Sequence, residues 1–233
     1  MAESTSARSD SLRLNGHQLR SADTRTRLIS GAVEAFGQLG YEGTSTRELA
    51  NRSGTSLSAI PYHFGGKWEL YLAAAESIGD SAAELVAPLI AQLEDPSNGN
   101  LCSRLEAAVC GFLEVMLDEA APRSWAMFLA RCAAENDEAF ERIFTRAIAP
   151  LQGSIVRAVA DSAVGVPDTE AIRLRTSSTI AAVISFRLLP GIVLRGMGWN
   201  ALQSTRAAMI SEMVRDLVRN GFLTTRSVNN DGK

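Results

Sequence analysis

Ser45-Thr46-Arg47-Glu48-Leu49-Ala50-Asn51-Arg52-Ser53-Gly54-Thr55-Ser56-Leu57-Ser58-Ala59-Ile60 is the stretch that decides how this chain is read. It spells two short helices joined by a tight turn. Ser45 and Glu48 have the Ser-x-x-Glu spacing of a capping box, which satisfies free N–H groups at a helix start. Leu49 and Ile60 are placed to meet where two helices cross, and Ala50 is small where the helices approach closely. Gly54 stands where the first helix must end and the chain must turn, a position that favours positive φ. Ser56 is placed to cap the second helix. A small residue, a glycine four positions on and a β-branched residue six after that is the spacing of a helix-turn-helix. The alternative is a pair of helices packed together for structure alone.

The pattern on either side is helical throughout. A first helix is expected from about 24 to 39, with Leu28, Ile29, Ala32, Val33, Ala35 and Phe36 as its apolar stripe, Asp23 as N-cap and Gly40 as its end. Short helices follow at about 46–53 and 57–64. Gly65-Gly66 breaks the chain, and a long helix begins near Lys67 and continues towards Leu93, with Pro88 as a kink or break. Further helices fit 101–118, 123–135, 138–163, about 168–197 and 204–220. Asp95-Pro96-Ser97-Asn98-Gly99 and Gly165-Val166-Pro167 are the clearest linkers. No segment alternates with a period of two between hairpin turns, so the expected fold class is all-α. Residues 1–21 and 224–233 are polar and lack periodicity, and are expected as a disordered arm and a disordered tail.

Bulk properties bound the function without naming it. The chain has 233 residues, 46% hydrophobic and 21% charged, which is ordinary for a globular protein. The net charge of −3 is unevenly spread: residues 1–67 carry eight basic against six acidic side chains, and the remainder fifteen against twenty. That balance permits a DNA-facing N-terminal region and does not require one. Cys102, Cys110 and Cys132 have no metal-type spacing and fit reduced, packed thiols. The N-terminus has no apolar core of a secretory signal. The longest apolar stretch, 179–194, is interrupted by Arg187 and Pro190 and is too short to span a bilayer. The expected setting is therefore cytoplasmic, without a membrane partner.

At 24–67 the sequence resembles the DNA-binding domain of TetR/AcrR-type regulators. The matching pieces are Thr-Arg-Leu-Ile-x-x-Ala-Val-Glu-Ala-Phe from Thr26, then Gly40-Tyr41-x-Gly43-Thr44-Ser45-Thr46-Arg47-Glu48-Leu49-Ala50, then Ile60-Pro61-Tyr62-His63-Phe64-Gly65-Gly66-Lys67. The second half, from Pro150 and through Gly196-Met197-Gly198-Trp199, is similar to the C-terminal domain of a CerR-like subgroup. The resemblance implies a three-helix helix-turn-helix domain over 22–68 and a helical ligand-binding and dimerisation domain over 69–223. It also implies a ligand-responsive regulator, by family default a repressor, that binds a palindromic operator in double-stranded DNA as a homodimer and needs no cofactor.

In a helix-turn-helix the second helix enters the major groove with its N-terminal residues at the base edges. Leu57, Ser58, Ala59 and Tyr62 are then at or near bases, with Ser56 beside them. Leu57 and Ala59 offer apolar contact, for instance to thymine methyls. By the resemblance, Arg47 matches a position that reaches a base; its alternative is a solvated surface charge. Thr46, Tyr62, His63 and Lys67 match positions that hold the DNA backbone. Pro61 departs from the family's usual Tyr or Asn, and in a helix starting at Leu57 it removes a hydrogen bond and clashes with the Leu57 carbonyl.

The helix expected over 168–197 is apolar nearly all round, so one face needs a partner beyond its own core. With the last helix it suggests a four-helix interface between two chains through Ile180, Ile184, Leu188, Ile210, Val214 and Leu217. The alternative is that both helices are internal to a monomer. The resemblance further implies an apolar effector cavity among Phe112, Met116, Trp125, Phe128 and Phe144; ordinary core is the alternative for any one of them. Arg187, like Arg131 and Glu135 a charge amid apolar helix, is a candidate to orient a ligand's polar group, with a salt-bridged surface position as its alternative. Two other classes stand as alternatives. An enzyme has only His17 and His63 to draw on, no glycine-rich phosphate loop, no metal-spaced Cys/His set and no G-x-S-x-G elbow. A helical interaction module without DNA binding is the other.

Overall fold

The computed structural model describes residues 3–118, 122–135, 137–162, 168–202 and 204–222. Among them all regular structure is helical, as expected: α1 (Glu3–Gly43), α2 (Thr46–Ser53), α3 (Ala59–Phe64), α4 (Lys67–Glu94), α5 (Leu101–Leu117), α6 (Arg123–Glu135), α7 (Glu138–Ile143), α8 (Ala149–Asp161), α9 (Thr169–Leu188), α10 (Pro190–Met197) and α11 (Ser204–Phe222). A 3₁₀ turn at Pro96–Asn98 fills the first expected linker, and a π turn at Phe144–Ile148 joins α7 to α8. The second linker, at Gly165, and the tail at 224–233 lie outside the described residues.

Helix boundaries differ from expectation in three places here, each for a local reason. α1 starts at Glu3, so the arm expected without structure is helical from there; no proline interrupts it, and Asp23 does not cap but pairs with Arg27 one turn on at 3.1 Å. Gly40 still breaks the helix, with φ of 76°. The helix expected over 138–163 is three pieces because Pro150 has no N–H to give the Arg146 carbonyl and its ring crowds that carbonyl. The turn widens, and the Ala149 N–H reaches back five residues to Phe144 O. The helix expected over 168–197 ends at Leu188, and Pro190 starts α10 at a bend of 82°. Pro88, by contrast, lies inside an α4 that runs on to Glu94. Among the described residues no single helix is long and apolar enough to cross a membrane.

The described residues form two compact units that do not follow chain order. The first draws on Met1–Ile78 and Pro122–Arg142, so α6 and α7 pack with the N-terminal helices. Its core holds Leu28, Ala32, Phe36, Leu49, Ile60 and Leu70 with Phe128. Aromatic rings tie it together: Phe36 meets Tyr71 edge-on at 5.0 Å, and Tyr71 meets Phe128 at the same separation. Arg131 of α6 donates to the Gly37 and Gln38 carbonyls at 3.0 Å each, satisfying groups left free where Gly40 ends the regular part of α1. The second unit draws on Gly79–Ala121 and Ile143–Lys233. Its core joins Leu105, Val109 and Leu113 of α5 to Leu151 and Ile155 of α8, Ile180 and Val183 of α9, and Val214 and Val218 of α11.

Candidate nucleic-acid interface

The helix-turn-helix is built from its caps and its crossing. Ser45 Oγ accepts from the Glu48 N–H at 3.1 Å and starts α2. The reciprocal half of the capping box is absent: the Glu48 carboxylate takes the Arg52 Nε–H at 2.6 Å instead, and Arg52 also donates to Gln38. At the other end Gly54 adopts φ 59°, ψ 38°, a left-handed pair that an L side chain adopts only at a cost of about 1–2 kcal/mol. That lets the Gly54 N–H reach Asn51 O and the Thr55 N–H reach Ala50 O, closing the carbonyls of the last turn. Leu49, Ala50 and Ile60 are buried at the crossing of α2 and α3, as their spacing requires.

α3 begins two residues later than expected. Leu57 and Ser58 form a turn, and neither Ser56 nor Ser58 caps with its side chain; their hydroxyls lie 3.1 Å apart on the surface. This later start also resolves Pro61. It occupies the third position of α3, where an N–H has no partner within the helix, and Leu57 is outside the helical register whose carbonyl a proline would strike. The expected disruption therefore does not occur.

Most of the predicted DNA-side residues gather on one exposed edge. Leu57 is 53% and Tyr62 73% accessible. Thr46, Arg47, Ser56 and Ser58 are exposed, and Ala59 is half-buried. Arg47 makes no hydrogen bond or ion pair among the described residues, which leaves its guanidinium free. His63 is half-buried, with its ring edge-on to Tyr62 at 4.9 Å and no side-chain hydrogen bond among the described residues. Lys67 Nζ stands 4.1 Å over the Tyr41 ring, a contact that holds the ammonium at the start of α4.

Two residues the sequence did not single out hold this edge in place. Arg25 of α1 donates to the His63 carbonyl at 3.1 Å and stacks over Phe64 at 4.3 Å. Arg27 donates to the Gly54 carbonyl at 3.2 Å, on the turn itself. Both links span more than 25 residues, so no local pattern could have announced them. Gly31 supplies a third constraint: a Cβ there would lie 2.4 Å from Ser53 Oγ, so α1 and α2 approach as closely as they do only because it has none.

The geometry is that of a known family. A profile described as bacterial regulatory proteins, tetR family, matches residues 28–74, and one for the C-terminal domain of the HTH-type transcriptional dual regulator CecR matches 101–222, more than half of the chain. The chain belongs to the TetR family. It is a DNA-binding transcription regulator and not an enzyme, with a C-terminal domain of the CecR type. It is 28% identical to the CecR dual regulator of Shigella flexneri over 219 residues, 90% of this chain and 97% of that one. It is 37% identical to the AcnR repressor of Corynebacterium efficiens over 91 residues, 36% of this chain and 48% of the repressor. In fold it is similar to a TetR-family regulator from Mesorhizobium loti, with a TM-score of 0.62 at 16% identity over 88% of this chain and 97% of that one.

In the second half the TetR-family chain departs from the sequence-based residue sets. Ile180, Ile210 and Val214, expected at a chain–chain face, are packed in the second unit's own core, and Ile184 and Leu188 are half-buried. Of that set Leu217 alone is exposed. The open apolar positions on the same helices are Leu174 of α9 and Met209 and Met213 of α11, on the faces turned from the core. The six expected effector residues are divided between the two units. Trp125 and Phe128 belong to the first unit, where Phe128 is core; Phe112 is core of the second, and Met116 packs at that core's edge. Arg187 donates to the Asp118 carbonyl at 3.0 Å. Phe144 lines a cleft whose other walls come from α8 and α9.

Proposed function

We propose that this TetR-family regulator binds a palindromic operator as a homodimer and releases it when a small molecule binds its C-terminal half, acting as a cytoplasmic repressor. The observation that carries the DNA part is the exposed edge of α2 and α3: Leu57, Ser58 and Tyr62 stand open beside an unpaired Arg47. Burying such apolar side chains against thymine methyls and the sugar face offsets their exposure, and a free guanidinium suits bidentate contact with guanine. Thr46, with the free N–H groups at the start of α2, and Tyr62, His63 and Lys67 are then the backbone-holding set. Ser56 and Ala59 flank the reading residues.

The dimer reading is supported by the open row of Leu174, Met209, Met213 and Leu217 and suits an operator of two-fold symmetry. α4 carries the chain from the DNA-binding unit into the second one. A ligand that prefers one spacing of the two reading heads shifts DNA affinity by its differential affinity for the two states. The repressor AcnR supports repression as the default, and CecR, a dual regulator, makes activation at some sites the second reading.

The test is retention of genomic fragments by the purified full chain, followed by titration of a retained duplex against salt. Affinity should fall steeply with salt, and Lys67→Ala should lower the slope by about one ion. Arg47→Ala should cost about 1–3 kcal/mol on the best fragment and relax the choice of base. A chain that is monomeric by light scattering and forms no salt-sensitive complex with any duplex would overturn the proposal.

A further inference from the structure

The cleft that Phe144 lines has a floor, a charge and a cause. Its volume is about 360 Å³, inside the range of about 300–1,000 Å³ usual for small-molecule sites. Phe144 and Val156 form the apolar floor, continuous with the core of the second unit. The π turn that places Phe144 exists because of Pro150, and such widened turns are frequent at functional sites. A Cβ at Gly153 would come within 3.3 Å of the Arg157 guanidinium.

Two arginines face this space, and they are not equivalent. Arg157 is neutralised by Glu94 at 2.8 Å, and Ser154 donates to the same carboxylate oxygen at 2.9 Å, which fixes the pair. Those two contacts hold the Glu94 carboxyl below its ordinary range. Arg173 has no hydrogen bond or ion pair among the described residues. Ser177, one turn along α9, and Gln152 across the cleft offer polar groups that nothing else in the described chain engages. The site therefore presents an apolar wall, a few convergent donors and one uncompensated positive charge.

We propose that this cleft, between the π turn, α8 and α9, is the effector site, and that it takes a monoanionic amphipath: an apolar ring or short chain on Phe144 and Val156, its carboxylate or sulfonate on Arg173. This rests on the reading of the chain as ligand-responsive, and it replaces the purely apolar effector and the Arg187 contact with a different chemistry and place. A single anion complements Arg173, which is exposed at the edge of the cleft. Arg187 is already committed to the Asp118 carbonyl.

The experiment uses two fluorescent probes of one ring system on the full-length protein: 1-anilinonaphthalene-8-sulfonate and its uncharged counterpart N-phenyl-1-naphthylamine. The expected result is one saturable sulfonate site per chain. Arg173→Gln should raise its Kd about tenfold, the value of a charge-assisted contact, and change the uncharged probe by less than twofold. Ser177→Trp, which fills the mouth, should weaken both, and Arg187→Gln neither. Arg173→Gln binding the sulfonate as the parent does would overturn the site, as would an equal loss of both probes. Fragment retention by the same variants without probe reports on DNA binding separately, so the two readings fail independently. Release of a retained duplex by the sulfonate, lost in Arg173→Gln, is expected; a duplex still held at saturating probe would overturn the effector role.

Discussion

Replacing Gly31 by alanine isolates the close approach that sets α2 against α1. In an ordinary helix the added methyl stabilises by about 1 kcal/mol. Here the new Cβ would stand 2.4 Å from Ser53 Oγ and 3.2 Å from the Ser53 backbone nitrogen. The hydroxyl has little room to yield, because it is buried and donates to the Leu49 carbonyl at 2.7 Å. Overpacking costs about 1–3 kcal/mol, and an overlap this deep belongs in the upper half of that range. The net expectation is a loss of about 1–2 kcal/mol, or about 2–8 °C in melting temperature for a chain of this size. Ser53→Ala alone forfeits the hydroxyl's bond, about 1 kcal/mol. With Oγ gone, Gly31→Ala meets only the amide and needs a shift of a few tenths of an ångström, so its helical gain returns. The double variant should be no less stable than Ser53→Ala, with a coupling of about 1–2 kcal/mol. Urea unfolding of the four proteins, followed by far-ultraviolet circular dichroism, measures it. Strict additivity, or a Gly31→Ala protein as stable as the parent, would refute the packing argument.

Tyr71→Phe should cost about 0.5–1.5 kcal/mol, since the Tyr71 hydroxyl donates to Asp137 at 2.7 Å inside the first unit while the ring packing is kept; the same urea unfolding checks it, and an unchanged midpoint would contradict it. Burial pushes the Cys132 thiol from 9.0 up to about 12, and burial with the Asp137 hydrogen bond raises the Tyr71 phenol as well. The folded chain thus keeps protons that the unfolded chain releases, so this stability is complete below pH 9 and declines as pH rises towards 12. The slope should be about 1.4 kcal/mol per pH unit for each group, and Cys132→Ala should remove about one group's share. Stability that stays flat from pH 8 to 10.5 would contradict this. Burial raises Cys110 too, and its Glu106 acceptor raises Cys102, so all three thiols should resist iodoacetamide at pH 8 in the native state and react at once in urea; rapid native labelling of Cys132 would contradict its placement.

What was legible in the sequence was whatever local chemistry decides. Ser45, Gly54 and the Leu49–Ile60 crossing follow from caps, φ and helical spacing, and the structure realises each one. The two prolines mark the limit. Pro61 conflicts with a helix that starts at Leu57 and fits one that starts two residues later, because a proline's effect depends on its distance from the helix start. Pro150 sits inside a pattern that looks continuous, yet it widens the turn carrying Phe144. Contacts such as Arg25 to His63 and Arg131 to Gly37 join residues 38 and 94 apart, and composition holds no trace of them.

The residue sets of the second half meet a related limit. Hydrophobicity says that a side chain leaves water, not what it leaves water for. α9 and α11 are apolar on two faces, and periodicity cannot say which face meets the chain's own core; the structure assigns Ile180, Ile210 and Val214 to the core and leaves Leu174, Met209 and Met213 open. The effector set shows the same ambiguity among aromatics, since Phe112 and Phe128 fill cores in different units. Charge is more informative there. An arginine with a carboxylate beside it stabilises a fold, whereas one without a partner, at the mouth of a cleft with an apolar floor, stabilises nothing until an anion arrives. Arg157 with Glu94 is the first case, and Arg173, unpaired among the described residues, is the second under the effector site proposed above.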